Sequence, residues 1–241
     1  MIRSALVPKD RPGETYFRWR GGDVSRLEGL TDGVFALALT LILLSMEVPR
    51  EAALVVGLLE RIPAFAATFA ILGMTWWYHF VFHRRFGLED LTTCVLNLLL
   101  LFVLLVYVFP LRYLFGALFR ESGFEPVGGG DTAALMAFYG GGYALVFLLF
   151  TLLHLHAWRQ RAELELDAIE EVVTRGALHA HLLHLAVGAT SFAMALVAVL
   201  GGPQALVPLS GVVFFAIGPT QAVNGIHWSR RAERLLRERG S

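Results

Sequence analysis

Between Gly176 and Ser229 the chain carries no Asp, Glu, Lys or Arg. A soluble element would need charge on its outer face, so this stretch belongs inside a bilayer. It is too long for one crossing, which takes roughly 20 apolar residues in a helix. Gly201-Gly202-Pro203 interrupts it, and glycine with proline terminates helices. Two spans result, near Leu178–Leu200 and Ala205–His227.

The rest of the chain supplies four more. They run from Thr31 to about Val48, from Ile62 to His83, from Leu91 to Phe109 where Pro110 closes the helix, and from Thr132 to Ala157. Apolar residues make up 56% of the chain and charged ones 17%, with a mean hydropathy of +0.61, a balance unsuited to a soluble enzyme. The expected fold class is an all-α integral membrane protein with six transmembrane helices. Residues 1–25 form a polar N-terminal segment without the apolar core of a signal peptide, and are expected to be retained. Residues 26–228 are the transmembrane domain, and 229–241 a basic tail.

The loops set an orientation. With six spans, the N-terminus, the His83–Asp90 link, the Arg159–Arg175 link and the C-terminus share one side. They hold sixteen of the twenty Lys and Arg, and the opposite loops only Arg50, Arg61, Arg112 and Arg120. The positive-inside bias makes the rich side cytoplasmic, both termini included, in a multi-pass protein of the cell membrane. The tail suits contact with anionic lipid head groups. No acidic or basic partner follows from the formal net charge of zero, and no nucleic-acid partner is expected. The acidic stretch Glu163–Glu171 reads as a solvated helix, and Cys94 as a small buried hydrophobe.

Few groups suggest bond-making chemistry, and the chain is not expected to be an enzyme. His79 and His83 lie four apart, but Phe80 stands where a zinc protease needs its glutamate. His154, His156, His179, His181 and His184 cluster at membrane ends and read as interfacial side chains. No cysteine or carboxylate cluster accompanies them, so neither a metal nor a cofactor is expected. Gly140-Gly141-Gly142-Tyr143 lies inside span four and reads as a close-packing surface, not a carbonyl filter.

Span one differs. Asp32 enters a membrane helix, where a carboxylate is costly unless paired or lining a cavity. Arg26 is a candidate partner, Thr31-Asp32 a candidate cap, and Trp76, His79 and Asn97 offer further hydrogen-bonding groups. Gly33, Leu37, Thr40, Leu44 and Glu47 fall along one helical stripe. Copies meeting on an axis would stack rings of leucine, threonine and leucine. Alternatively Thr40 bonds back to the Ala36 carbonyl and the leucines face lipid.

Arg26-xxx-Leu30-Thr31-Asp32 followed by Gly-Val-Phe-Ala-Leu-Ala-Leu-Thr resembles the Arg-xxx-Phe-Ser-Asp signature of the transmembrane protein 175 potassium channels. Thr75-Trp76-Trp77-Tyr78-His79, Asn97-Leu98-Leu99 and Pro110 extend the resemblance; Leu30 replaces the aromatic and Thr31 the serine. The resemblance implies a homotetrameric, potassium-permeable channel, with potassium as the permeant ion and no carbonyl filter. Its first helix would line the pore through Leu37, Thr40 and Leu44, with Glu47 at the mouth. Arg26, Thr31, Asp32, His79 and Asn97 would form a structural network. The competing reading is a proton- or cation-coupled transporter titrating Asp32 and the histidines.

Overall fold

A computed structural model describes residues 16–22, 24–44, 55–119 and 130–240. Every described regular element is helical. Helix α1 covers Arg26–Leu44, α2 Val55–Phe86, α3 Leu91–Leu118, α4 Gly130–Arg159 and α5 Ala168–Val199. Then come α6, Leu206–Val212, a 3-10 turn over Val213–Ala216, and α7, Ile217–Gly240. Among the described residues, six stretches are long and apolar enough to cross a membrane. In lipid every backbone group needs an internal partner, which is why the apolar runs resolve into helices and nothing else. The chain is a multi-pass membrane protein.

The third and sixth spans differ from the sequence expectation. Pro110 does not end the third span; α3 continues to Leu118. Proline removes one ladder bond, but stopping at membrane depth would orphan several backbone groups. The Tyr139 hydroxyl donates to the Pro110 carbonyl, and Leu111 is buried beyond it against Tyr107 and Tyr139. The sixth span is not one regular helix. Pro219 has no N–H to offer the Phe215 carbonyl, and the 3-10 turn lies just before it. Beyond it α7 passes through Ser229 into the basic tail without a break.

The acidic stretch is not a solvated helix. Gln160–Leu164 is a run of turns, Glu165 takes a positive φ of 49°, and Asp167 caps α5 through a capping box with Glu170. Glu170 is buried beneath Arg20 at 2.5 Å, because a charge near the helix start is tolerable inside only when forked to a guanidinium. Cys94 is half-buried.

The bundle is densest between α4 and α5. A Cβ on Gly140 would sit 2.5 Å from the Phe192 nitrogen, and one on Gly188 would sit 2.8 Å from the Ala144 nitrogen. Glycine at both positions lets the two backbones touch, the usual means of helix association without a hydrophobic drive. A continuous apolar core runs from there through Phe147, Phe150, Leu100, Leu104 and Phe82 to Phe35, Ala38 and Ile42 of α1.

Candidate pore helix and its polar anchor

Ser25 starts α1. Its hydroxyl accepts from the Glu28 N–H at 3.1 Å, and Glu28 accepts in return from the Ser25 N–H at 2.9 Å, a reciprocal cap that satisfies two helix-start donors. The helix packs principally on α2 and α3 through one narrow face: Glu28, Thr31, Phe35, Ala38 and Ile42 are buried.

That face carries a complete chain of hydrogen bonds. The Thr31 hydroxyl donates to the Leu27 carbonyl at 2.9 Å, and Asn97 Nδ2 of α3 donates to Thr31 Oγ1 at 2.9 Å. His79 Nε2 of α2 lies 2.6 Å from Asn97 Oδ1. With the amide nitrogen committed to Thr31, its oxygen can only accept, so the proton sits on His79 Nε2. Thr31 and Asn97 are 0% exposed and His79 2%. Three helices are thereby joined by buried polar groups bonded in series, an arrangement in which hydrogen bonds favour one packing.

Asp32 stands outside this chain. It is exposed and accepts from Trp76 Nε1 at 2.8 Å. Arg26 is exposed on the protomer and, among the described residues, bonds to neither Asp32 nor the buried chain. Thr31, His79 and Asn97 therefore come together, Asp32 joins α2 through Trp76, and Arg26 stands apart.

The stripe lies about 200° round the helix from the buried face, since two residues separate Phe35 from Leu37 and Ala38 from Thr40. Gly33, Leu37, Thr40 and Leu44 are all exposed, Leu37 by 54% and Leu44 by 72%. Leu41, one position aside, is half-buried. Thr40 Oγ1 donates to the Ala36 carbonyl at 2.8 Å, which spends its proton and leaves the oxygen lone pairs outward. Glu47 lies outside the described residues.

The histidines are mostly buried, not interfacial. His79, His83, His154, His181 and His184 are all closed off from solvent. Polar groups inside a membrane bundle turn toward other helices, and here each finds rings or a hydrogen-bonding atom. His79 and His83 rings lie 4.3 Å apart, His154 and His181 4.5 Å apart, and Tyr143 meets His184 Nδ1 at 2.5 Å. Of the cluster members, His179 is exposed and His156 half-buried against Asp90.

Sequence reasoning missed both capping boxes, although Ser25-x-x-Glu28 and Asp167-x-x-Glu170 spell them. It also missed Arg20–Glu170, which no local pattern announces across 150 residues.

The chain is similar to known proteins. Residues 26–110, which hold α1, the polar anchor and most of α3, match the family model of the endosomal/lysosomal potassium channel TMEM175. A potassium channel of Marivirga tractuosa is 32% identical over 234 residues, 92% of this chain and 94% of that protein. The crystal structure of a threonine-to-alanine variant of the potassium channel MtTMEM175, in complex with a nanobody–MBP fusion, superimposes with a TM-score of 0.78. It shares 31% identity and covers 92% of this chain and 99% of that one. A lysosomal potassium-selective channel TMEM175 homolog from Chamaesiphon minutus shares the fold at a TM-score of 0.54 and 24% identity, over 86% of this chain and 96% of that one. These relatives are channels and not enzymes, and the chain belongs to the TMEM175 family.

Proposed function

We propose that this chain is a potassium-permeable channel in which four copies bring α1 together around a central axis. The observation that carries the reading is the stripe on α1: Leu37, Thr40 and Leu44 lie opposite the helix's packed face, are exposed, and among the described residues only Thr40 of the three makes a side-chain bond, back to the carbonyl of its own helix. Relatives named as potassium channels make an ion path the fitting use for that face. Leu37 and Leu44 are separated by about 10 Å along the axis. As rings they are dry constrictions that stop ions by dewetting. Thr40 lies between them. Its outward lone pairs replace part of an ion's hydration, and no carbonyl filter is needed. Glu47 stands at the mouth, where a carboxylate concentrates cations.

The anchor of Thr31, Asn97 and His79 holds α1 in rotation, so that the stripe points to the axis. Trp76 and Asp32 hold the same end. Residues 1–25 and the tail from 229 lie on the cytoplasmic side of the cell membrane, the tail's arginines against anionic lipid.

Planar-bilayer recording tests the assignment. Leu44→Ser and Leu37→Ser wet the constrictions and raise conductance, whereas Leu41→Ser, off the stripe, does less. Thr40→Val lowers the preference for potassium over sodium. Conductance that responds to Leu41 and ignores Leu44 would rotate the helix away from this assignment. Silence along the whole helix would remove α1 from the pore. Currents that vanish without a second ion gradient would identify a coupled transporter instead.

A further inference from the structure

Ahead of α1, residues 16–22 cross one end of the bundle, and their contacts reach elements α1 packs against little or not at all. Tyr16 packs against Ile169 and Val172 of α5 and Ala232 of α7. Phe17 is buried, edge-on to Phe86 at 5.5 Å. Arg20 makes the tightest attachment. It forks onto both Glu170 oxygens at 3.0 and 2.5 Å, and Nε donates to the Leu164 carbonyl at 2.7 Å. Nη2 donates also to the Glu165 carbonyl at 3.1 Å. Both members of the pair are shielded, with side chains 11% and 4% exposed.

From there the contacts run to the start of α1. The N–H groups of Arg20 and Gly21 both donate to the Arg84 carbonyl at the end of α2, at 3.1 Å each. Gly21 is required there, because a Cβ would lie 2.4 Å from the His83 carbonyl oxygen. Arg84 answers through Nη1 to the Gly22 carbonyl at 2.7 Å, and its Nε lies 3.8 Å from Glu28, the residue that caps α1. An unbroken series of polar contacts thus joins Glu170 on α5 to the first turn of α1.

We infer that residues 16–22 are a positioning strap for the pore helix, and that the Arg20–Glu170 ion pair is its latch. The anchor of Thr31, Asn97 and His79 fixes α1 against α2 and α3 alone. The strap ties the same end of α1 to α5 and α7, so a shift of the α4–α5 end is passed to the pore. With the latch closed, four copies of α1 stand at one height and their Leu and Thr rings align. With it open, each helix samples more positions, and most of those misalign the rings. Arg20 and Glu170 touch no ion; they set how often the aligned state is occupied. This inference rests on α1 lining the pore.

Single-channel recording of the full chain tests it, with Arg20→Ala, Arg20→Lys, Glu170→Gln and the exchanged pair Arg20→Glu with Glu170→Arg. Arg20→Ala and Glu170→Gln lower open probability by about fivefold or more, in the range of ordinary coupling between sites. Unitary conductance and reversal potential stay at the parent values. The double variant of Ala and Gln falls no further than either single one, as a shared latch requires. The exchanged pair regains more than half the loss. Arg20→Lys keeps the charge, loses the fork onto both Glu170 oxygens and the bonds to the Leu164 and Glu165 carbonyls, and shows a partial loss; it serves where the alanine variant does not fold. Parent open probability in Arg20→Lys and Glu170→Gln overturns the strap. So does a shift in reversal potential, which would put the pair on the ion path. Leu44→Ser recorded alongside separates the two ideas. A changed conductance there with no effect at Arg20 defeats the strap alone, and no effect at Leu44 or Leu37 defeats the pore assignment beneath it.

Discussion

Helix α1 and the α4–α5 pair sit in one bundle and are held in opposite ways. The pair is joined backbone to backbone through Gly140 and Gly188, with aromatic and histidine rings packed on either side. α1 touches its neighbours along one face and is fixed by a few directional bonds: Thr31 to Asn97, Asn97 to His79, and Trp76 to Asp32. Close backbone contact gives rigidity, since no side chain can yield to relieve a misfit. Directional bonds give orientation with little contact area, and leave most of the helix surface for other partners. A channel needs both. In the proposed channel the pair is scaffold, and α1 is a component whose rotation must be set and whose outer face must stay bare.

The largest effect separates the two kinds of attachment. In Gly140→Val the new Cβ meets the Phe192 nitrogen at 2.5 Å and its Cα at 2.9 Å, backbone atoms that cannot step aside. The loss is expected at about 3 kcal/mol or more, the upper end for overpacked sites, and the thermal midpoint in detergent drops sharply or folded protein is not recovered. Gly33→Ala on the α1 stripe has nothing within 4 Å of its new methyl and gains helix propensity. It leaves the midpoint unchanged or slightly raised. Equal damage from the two variants would erase the distinction between scaffold and proposed pore helix.

A smaller effect probes the directional bonds. Asn97→Leu removes the middle of the buried chain and leaves the His79 N–H and the Thr31 oxygen without partners, at a cost of about 1–3 kcal/mol. Hydrogen exchange locates the loss. Amides of α1 exchange faster, while those of α4 and α5 keep their protection. A uniform loss across all helices would mean that the chain supports the whole bundle and not α1 in particular.

What could be read beforehand follows the same division. The number of spans was legible because each apolar run must close its own backbone bonds in lipid, a local demand. Asp32, His79 and Asn97 were legible as groups in need of partners, because polar side chains at membrane depth need them. Their pairing was not. Trp76 takes Asp32 in place of Arg26, since that depends on how α1 and α2 are rotated. Pro110 misled because its penalty is local, whereas the Tyr139 hydroxyl that meets its carbonyl comes from another helix. The acidic stretch misled for the same reason: Glu170 looks solvated until Arg20 is folded onto it. The histidines failed a different test. Their place near the ends of apolar runs indicated depth, and only the helix faces, set by tertiary packing, decide whether a ring meets water or Phe147.

The smallest effect lies at a seam between the two regions. Asp90 caps α3, accepting from the N–H groups of Thr92 and Thr93, and its second oxygen meets His156 Nε2 of α4 at 2.9 Å. Burial pushes this carboxyl up, but the bonds from His156 and from Thr93 outweigh it and hold its pKa at about 2, against an ordinary 3.8. A carboxyl depressed in the folded state contributes stability that is fully present above its unfolded value and fades as pH falls through its folded one. The parent should therefore lose a small, separate increment of stability between pH 3.8 and about 2. Asp90→Asn keeps an acceptor oxygen for the cap and cannot titrate, so its midpoint near neutrality stays close to the parent's and the acid increment vanishes. Asp90→Ala loses the cap as well and should be less stable at every pH by about 1 kcal/mol. The side chain is about a third exposed, so solvent screens the contact with His156 and the cap carries the greater share. An Asn variant that keeps the parent's acid limb would show that the seam contributes no charge to holding the α3 end against the scaffold, and only the cap would remain.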